Sequence, residues 1–210
     1  MRDRLVDQSC EDFAVVLSSR EPVPGGGGVA ALVGAFGMAL CSMAGNLTLG
    51  RKKYAAVEVD IRKLLVEGEM VRSRLLELVD EDAAAFEPLS KAYSIPKDEP
   101  GRAEILEAAT LRACVAPLEM MRCCCRAIDL LEEMLDKGST MLVSDVGCGA
   151  LCCRAALESA SLNIFVNTKT MKNRTEAEKM DAVADEMLQT YGVRAGRIAK
   201  EVTRRLRGGD

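Results

Sequence analysis

The fold is decided by residues 22–50, which read PVPGGGGVAALVGAFGMALCSMAGNLTLG and contain no charged side chain. Its two prolines restrict the backbone before the glycines, and the four glycines at 25–28 leave backbone N–H groups that no side chain covers. The uncharged run from Val29 to Gly50 predicts a helix and ends in the basic patch Arg51-Lys52-Lys53-Tyr54. A bare loop beside a tightly packing helix and a basic patch indicates a functional site here.

The predicted helix is suited to close packing. Small residues recur in it at four-residue spacing, at Gly27, Ala31, Ala35 and Ala39. Glycines lower helix propensity, so packing must offset that cost. The run is long enough to span a bilayer, but its Gly and Ala content and polar side chains such as Asn46 favour a buried core helix. We therefore expect no membrane partner.

Helical periodicity continues through the rest of the chain. The patterns predict an all-α, single-domain helical bundle of about six or seven helices spanning residues 1–210, with the second and fifth predicted helices, which are rich in small residues, at its centre. The segment Asn163-Ile164-Phe165-Val166-Asn167 is either a short strand or a continued helix, and Pro117 predicts a kink. The predicted helices cover residues 9–18, 29–49, 54–93, 102–137, 146–160 and 175–206.

One carboxylate falls on the apolar stripe of the third predicted helix. Asp82 follows Leu78 and precedes Phe86, each by four residues. Either Asp82 is solvated where the apolar face ends, or it is directed inward among apolar side chains. Burial would raise its pKa and make it a proton carrier near neutral pH.

Composition excludes several classes of function. The net charge of −4 and the aromatic content of 3% argue against nucleic-acid binding. Because histidine is absent, acid–base chemistry must use other side chains. The nine cysteines contain no CxxC pair, so we expect reduced thiols, most of which act as small hydrophobic side chains, and no metal. A charged N-terminal segment without an apolar core predicts a cytoplasmic protein.

Five segments, in order along almost the whole chain, together resemble the cyclodeaminase/cyclohydrolase family of folate enzymes. Each segment alone is a weak signal, whereas five in the same order are specific. They are Pro22-Val23-Pro24-Gly25-Gly26-Gly27-Gly28, Asn46-Leu47-Thr48-Leu49-Gly50-Arg51-Lys52-Lys53-Tyr54, Asp80-Glu81-Asp82-Ala83-Ala84-Ala85-Phe86, Ser144-Asp145-Val146-Gly147 and Asn163-Ile164-Phe165-Val166-Asn167.

The resemblance implies an all-helical homodimer with a folate site in a cleft near the subunit contact. It implies no cofactor beyond the tetrahydrofolate substrate, which includes polyglutamylated forms. The sequence departs from the family at Gly28, where Ser or another small residue is common, and at 138–141, where an Asn-Pro pair is common. Both departures lie in predicted loops. Either the two central helices or the last amphipathic helix forms the dimer contact.

The candidate catalytic residues are Asp82, Asp145 and Lys53. One aspartate would exchange a proton while the other anchors the pterin or an amine, and Lys53 would assist. Each has a structural alternative: Asp145 as a helix cap, Lys53 as a solvated charge. The basic patch could attract the glutamate tail of a folate. The candidate substrate-binding residues are Gly25, Gly26, Gly27, Asn46, Lys52, Tyr54, Ser144, Asn163 and Asn167.

Three functions follow from this comparison. The first is conversion of 5-formiminotetrahydrofolate to 5,10-methenyltetrahydrofolate and ammonia, with a separate formiminotransferase as partner. The second is methenyltetrahydrofolate cyclohydrolase, which gives 10-formyltetrahydrofolate. The third is a non-catalytic folate-binding or scaffold protein. The glycine segment is not a phosphate loop, because no GK[ST] follows it.

Overall fold

The structure is a computed structural model that describes residues 4–208. Within this range the chain forms eight α-helices and no strand, which confirms the all-α prediction. The helices are α1 (Cys10–Leu17), α2 (Gly26–Thr48), α3 (Glu58–Tyr93), α4 (Arg102–Ala113), α5 (Val115–Lys137), α6 (Val143–Thr168), α7 (Arg174–Met187) and α8 (Val193–Leu206). Between them lie 3-10 turns at Leu5–Asp7, Lys52–Val57 and Thr140–Leu142, and a π turn at Leu188–Gly192.

Two predicted helices are each divided into two. Pro117 has no N–H to donate to the carbonyl of Ala113, and α4 ends at Ala113 before α5 begins at Val115. The break therefore lies three residues before the proline and not at it. A π turn separates α7 from α8 inside the last predicted helix. These two interruptions explain why eight helices form where six or seven were predicted.

Helix α6 is longer than predicted at both ends. It begins at Val143, so Ser144 and Asp145 lie in its first turn, and neither side chain caps it. The alternative role of Asp145 as a helix cap is therefore wrong, because the preceding 3-10 turn leads directly into the helix. At the other end α6 continues to Thr168, so Asn163 and Asn167 are helical and share a face.

The centre of the bundle is the antiparallel pair α2 and α6. A Cβ added at Gly37 would lie 2.8 Å from the carbonyl oxygen of Gly149, and one added at Gly149 would lie 2.8 Å from that of Gly37. Near the start of α2, a Cβ added at Gly26 would lie 3.7 Å from the side chain of Asn163. Helices α2 and α6 pack backbone to backbone, as their glycine and alanine content predicted.

The remaining helices enclose this pair. Helices α3 and α5 cover one side, with fully buried side chains such as Leu75, Leu78 and Leu131. Helix α8 covers α6, where Val202 packs against Gly147. Six of the nine cysteines are buried, and burial raises the pKa of the Cys41 thiol to about 12. Buried thiols that stay protonated act as small hydrophobic side chains, as predicted.

Candidate active site

A narrow cleft of about 160 Å³ opens at the N-terminus of α2. Three helices contribute its polar groups: α2 the backbone of its first turn, α3 the carboxylate of Asp82, and α6 two asparagines. The cleft contains five of the predicted site residues besides Asp82. Its lining is Pro22, Val23, Gly25, Gly26, Gly27, Asp82, Phe86, Ala113, Pro117, Asn163, Val166 and Asn167.

Asp82 caps the N-terminus of α2 from a neighbouring helix. Gly25 precedes α2 without a side chain to cap it, and the backbone N–H of Gly28 donates a hydrogen bond to the Asp82 carboxylate. A Cβ added at Gly27 would overlap both oxygens of that carboxylate. The absence of a side chain at Gly27 therefore lets Asp82 reach the free N–H groups and positive dipole end of the helix.

Two opposing effects set the protonation of Asp82. Burial raises its pKa from 3.8 to about 6, because the charged form loses hydration. The hydrogen bond from the Gly28 N–H acts in the opposite direction but is the smaller effect. Of the two alternatives for Asp82, solvated or directed inward, the structure therefore shows the second. A carboxyl group with this pKa can both accept and release a proton near neutral pH.

The asparagines of α6 face the first turn of α2 across the cleft. Asn163 donates from its side-chain nitrogen to the carbonyl of Ser159, 2.9 Å away, which holds the amide in place on its own helix. Asn167 lies one turn further along the same face and hydrogen-bonds the thiol of Cys114. Asn163 therefore presents a fixed amide beside the bare backbone of Gly26, suited to the polar edge of a planar heterocycle.

Apolar residues that were not among the predicted site residues complete the cleft. Phe86 lies one turn after Asp82, and Pro117 closes the far side where α4 gives way to α5. Phe86 also lines an adjoining groove of about 400 Å³, together with Pro22 and Val23. Its place on the apolar stripe, directly after Asp82, was the signal that could have identified it.

The other predicted site residues lie at the opposite end of the bundle. Asn46 is near the end of α2, and Asp145 is at the start of α6. At 1.5 Å per helical residue, Asp145 is about 27 Å from Asn163 along α6, so it does not reach the cleft within one chain. The remaining members of this second group are Lys52, Lys53, Tyr54 and Ser144.

The second group is ordered around Tyr54. Its hydroxyl oxygen accepts a hydrogen bond from the backbone N–H of Thr140, 3.1 Å away, and this bond lowers the pKa of Tyr54 to about 8. The ammonium of Lys53 lies 5.5 Å from the centre of the Tyr54 ring. The Ser139 N–H donates to the Thr48 hydroxyl at 2.9 Å, which fixes the same turn against α2.

We predict that the raised pKa of Asp82 makes the free energy of unfolding depend on pH. The folded chain keeps the Asp82 proton up to about pH 6, whereas an unfolded carboxyl loses it near 3.8. The folded state therefore binds more protons between these values, and stability falls as the pH rises through them, by about 3 kcal/mol in total. Asp82→Asn removes this loss, most of which falls between pH 4 and pH 7, so urea unfolding should show the variant gaining about 2 kcal/mol over the wild type across that range.

The exposed loop variant Asp98→Asn is the control for that measurement, and it should follow the wild type at both pH values. Equal pH dependence in Asp82→Asn and the wild type would show that Asp82 ionises normally in the fold.

An all-α bundle that holds a half-buried carboxylate with a raised pKa in a polar cleft is suited to proton transfer. The sequence matches the model of the formiminotransferase-cyclodeaminase family over residues 9–186. The chain therefore belongs to that family, and the resemblance drawn from its five segments is confirmed.

The individual relatives include proteins named as cyclohydrolases and proteins named as cyclodeaminases. The chain is 38% identical over 200 residues to a methenyltetrahydrofolate cyclohydrolase of Methylorubrum extorquens, covering 93% of this chain and 96% of that protein. It is 30% identical to the formimidoyltransferase-cyclodeaminase of Mus musculus over 92% of this chain, but spans only 37% of that protein. The crystal structure of a formiminotetrahydrofolate cyclodeaminase from Thermotoga maritima superposes with a TM-score of 0.83 at 26% identity, covering 95% of this chain and 99% of that one.

Proposed function

We propose that the protein is a methenyltetrahydrofolate cyclohydrolase in which Asp82 carries the proton. The observation that supports this most is the half-buried Asp82 carboxylate, with its pKa near 6, between the bare first turn of α2 and the Asn163 amide. The 38% identity to a cyclohydrolase over nearly the full length of both chains favours this reaction over cyclodeamination. From the five sequence segments alone, cyclodeamination is the first of the predicted functions.

The proposed reaction begins with the pterin in the cleft. Its ring lies against the bare backbone of Gly26 and Gly27, and the Asn163 amide orients its polar edge. Water attacks the methenyl carbon and gives a proton to the Asp82 carboxylate. The bond from that carbon to N5 then breaks, N5 takes the proton back from Asp82, and the hydroxyl proton leaves to solvent as the formyl carbonyl forms.

Cyclodeamination is the second candidate, and the likeness to the Thermotoga maritima cyclodeaminase supports it. N10 would attack the formimino carbon and give its proton to Asp82, which would then protonate the departing ammonia. The same carboxylate therefore serves either reaction. In that case a separate formiminotransferase would supply the substrate. Under either reaction we propose one domain over residues 1–210, located in the cytoplasm, that uses no group beyond the folate.

One assay separates the candidates. We expect the protein to speed the loss of methenyl absorbance from 5,10-methenyltetrahydrofolate well beyond the uncatalysed rate. A rise of the same absorbance from 5-formiminotetrahydrofolate would instead identify the cyclodeaminase. A protein that binds tetrahydrofolate in a titration and turns over neither compound would be the non-catalytic binding protein.

A further inference from the structure

The cleft around Asp82 is too small to enclose a whole folate. Its volume is about 160 Å³, whereas pockets that bury a ligand of this size measure roughly 300–1,000 Å³. A folate consists of a pterin, a p-aminobenzoyl ring carried on N10, and a glutamate tail. The cleft therefore has room for the pterin, and the ring on N10 needs a second surface.

The adjoining groove supplies such a surface. Its volume is about 400 Å³, and Pro22, Val23 and Phe86 line both the groove and the cleft. The two cavities therefore meet at these three side chains. Together they reach the size that a ligand as long as a folate requires.

Asp82 lies where the two cavities meet. It lines the cleft, and the next residue, Ala83, lines the groove. Phe86, one helical turn later on α3, lines both. The methenyl carbon of the proposed substrate is bonded to N5 of the pterin and to N10, which carries the aryl ring. A folate that spans both cavities therefore brings this carbon to the junction, beside the Asp82 carboxylate.

Phe86 offers a fixed aromatic surface at this junction. Its half-buried side chain packs against the small apolar cluster between α3 and α4 that includes Leu89 and Ala113. The ring is thus held on one side by the protein, while it borders the two cavities on the other. Contact between two aromatic rings adds to the affinity that apolar burial alone provides.

The charges of the groove favour a neutral ring over the glutamate tail. The charged residues that line it are Glu21, Glu87 and Lys91. The Lys91 ammonium lies 2.9 Å from the Glu87 carboxylate, so its charge is already matched within the protein. A tail carboxylate in the groove would meet the like charge of Glu21.

We propose that the groove binds the p-aminobenzoyl ring of the folate, with that ring against Phe86 and the glutamate tail beyond the groove. This inference deepens the proposed folate function and rests on it. Phe86 is then a specificity-determining residue, because a pterin without the aryl ring fills only the cleft.

Three ligands of increasing length test the groove by isothermal titration calorimetry under argon. The first, 6-methyltetrahydropterin, has the pterin alone; tetrahydropteroate adds the aryl ring, and tetrahydrofolate adds the tail. We expect the wild type to bind tetrahydropteroate roughly 30-fold more tightly than 6-methyltetrahydropterin, because the ring buries apolar surface in the groove. Equal affinities for these two ligands would overturn the proposal.

Phe86→Ala tests the contact between the two rings. We expect it to weaken tetrahydropteroate about 10-fold more than 6-methyltetrahydropterin. Comparing the two losses removes any general damage to the cleft, which would weaken both ligands alike. Equal losses, or a loss seen with tetrahydrofolate and not with tetrahydropteroate, would overturn the proposal, the latter by placing the tail in the groove.

Two further variants separate the ring contact from packing. Phe86→Leu keeps an apolar side chain against Leu89 and Ala113 but has no ring, and we expect a difference between the two ligands of about threefold. Tyr93→Ala removes another aromatic side chain from α3, one that is 50% exposed and lines neither cavity. It should bind all three ligands as the wild type does, and a ligand-dependent loss like that of Phe86→Ala would overturn the proposal.

The titrations also separate failure of the groove from failure of the function. A wild type that binds none of the three ligands would refute the folate function, and the groove with it. A wild type that turns over methenyltetrahydrofolate but gains no affinity from the aryl ring would refute the groove and leave the function standing.

Discussion

Asp82→Asn should abolish turnover while the fold remains intact. Asparagine matches aspartate in shape and can still accept the hydrogen bond from the Gly28 N–H, so the end of α2 stays capped. It cannot take a proton from water and return it to N5, and loss of a general acid–base group costs about 10²–10⁴-fold in rate. We therefore expect kcat with methenyltetrahydrofolate to fall by at least ~100-fold, with an unchanged circular dichroism spectrum.

Binding separates this chemical loss from loss of the site. Asp82→Asn should still bind a stable folate analogue within several-fold of wild-type affinity, because the backbone of Gly26 and the Asn163 amide are unaltered. An Asp82→Asn enzyme that keeps most of its activity would assign the proton transfer to another group.

Gly27→Ala should be nearly as damaging, although it adds only one methyl group. That methyl would overlap both carboxylate oxygens of Asp82, so the carboxylate must leave the end of α2. Displacing a catalytic group by about 1 Å costs on the order of 100-fold, and we expect a loss of that size in kcat/KM. The variant should remain helical, since alanine favours helices more than glycine does.

Gly28→Ala is the matched control for Gly27→Ala. A Cβ added at Gly28 would lie 3.6 Å from Pro24 and Val79, an ordinary contact, and the N–H that bonds Asp82 is retained. We expect activity within about twofold of wild type and up to ~1 kcal/mol of added stability from the better helix propensity. Equal activity losses in both variants would show that flexibility of the glycine segment matters, and not the space beside Asp82.

The sequence predicted the helical class and the central pair because those follow from periodicity and from the small residues of α2 and α6. It placed the start of α2 three residues too late. Four consecutive glycines have the lowest helix propensity after proline, so a local reading puts the helix after them. In the fold α2 begins at Gly26, where the carboxylate of Asp82 on α3 caps its first turn, and no local pattern contains that contact.

The predicted site residues fall into two separate groups for a similar reason. The five segments contained the right residue types but carried no information on which ends of the helices meet. Because α2 and α6 are antiparallel, the glycine segment meets Asn163 and Asn167, while Tyr54 lies at the end of the bundle where α6 begins, with Asp145 in its first turn. Whether Asp82 was solvated or buried also depended on this packing, so the sequence left both readings open.

The central claim is that Asp82 carries the proton in the cleft at the start of α2. The most direct test is the pH dependence of kcat/KM for methenyltetrahydrofolate, corrected for the uncatalysed rate, in wild type and Asp82→Asn. We predict that wild-type kcat/KM rises through a midpoint near pH 6, as the carboxylate ionises, and is level above it. The residual activity of Asp82→Asn should lack this transition. A wild-type profile that is flat from about pH 5 to 8, or the same transition in Asp82→Asn, would contradict the claim.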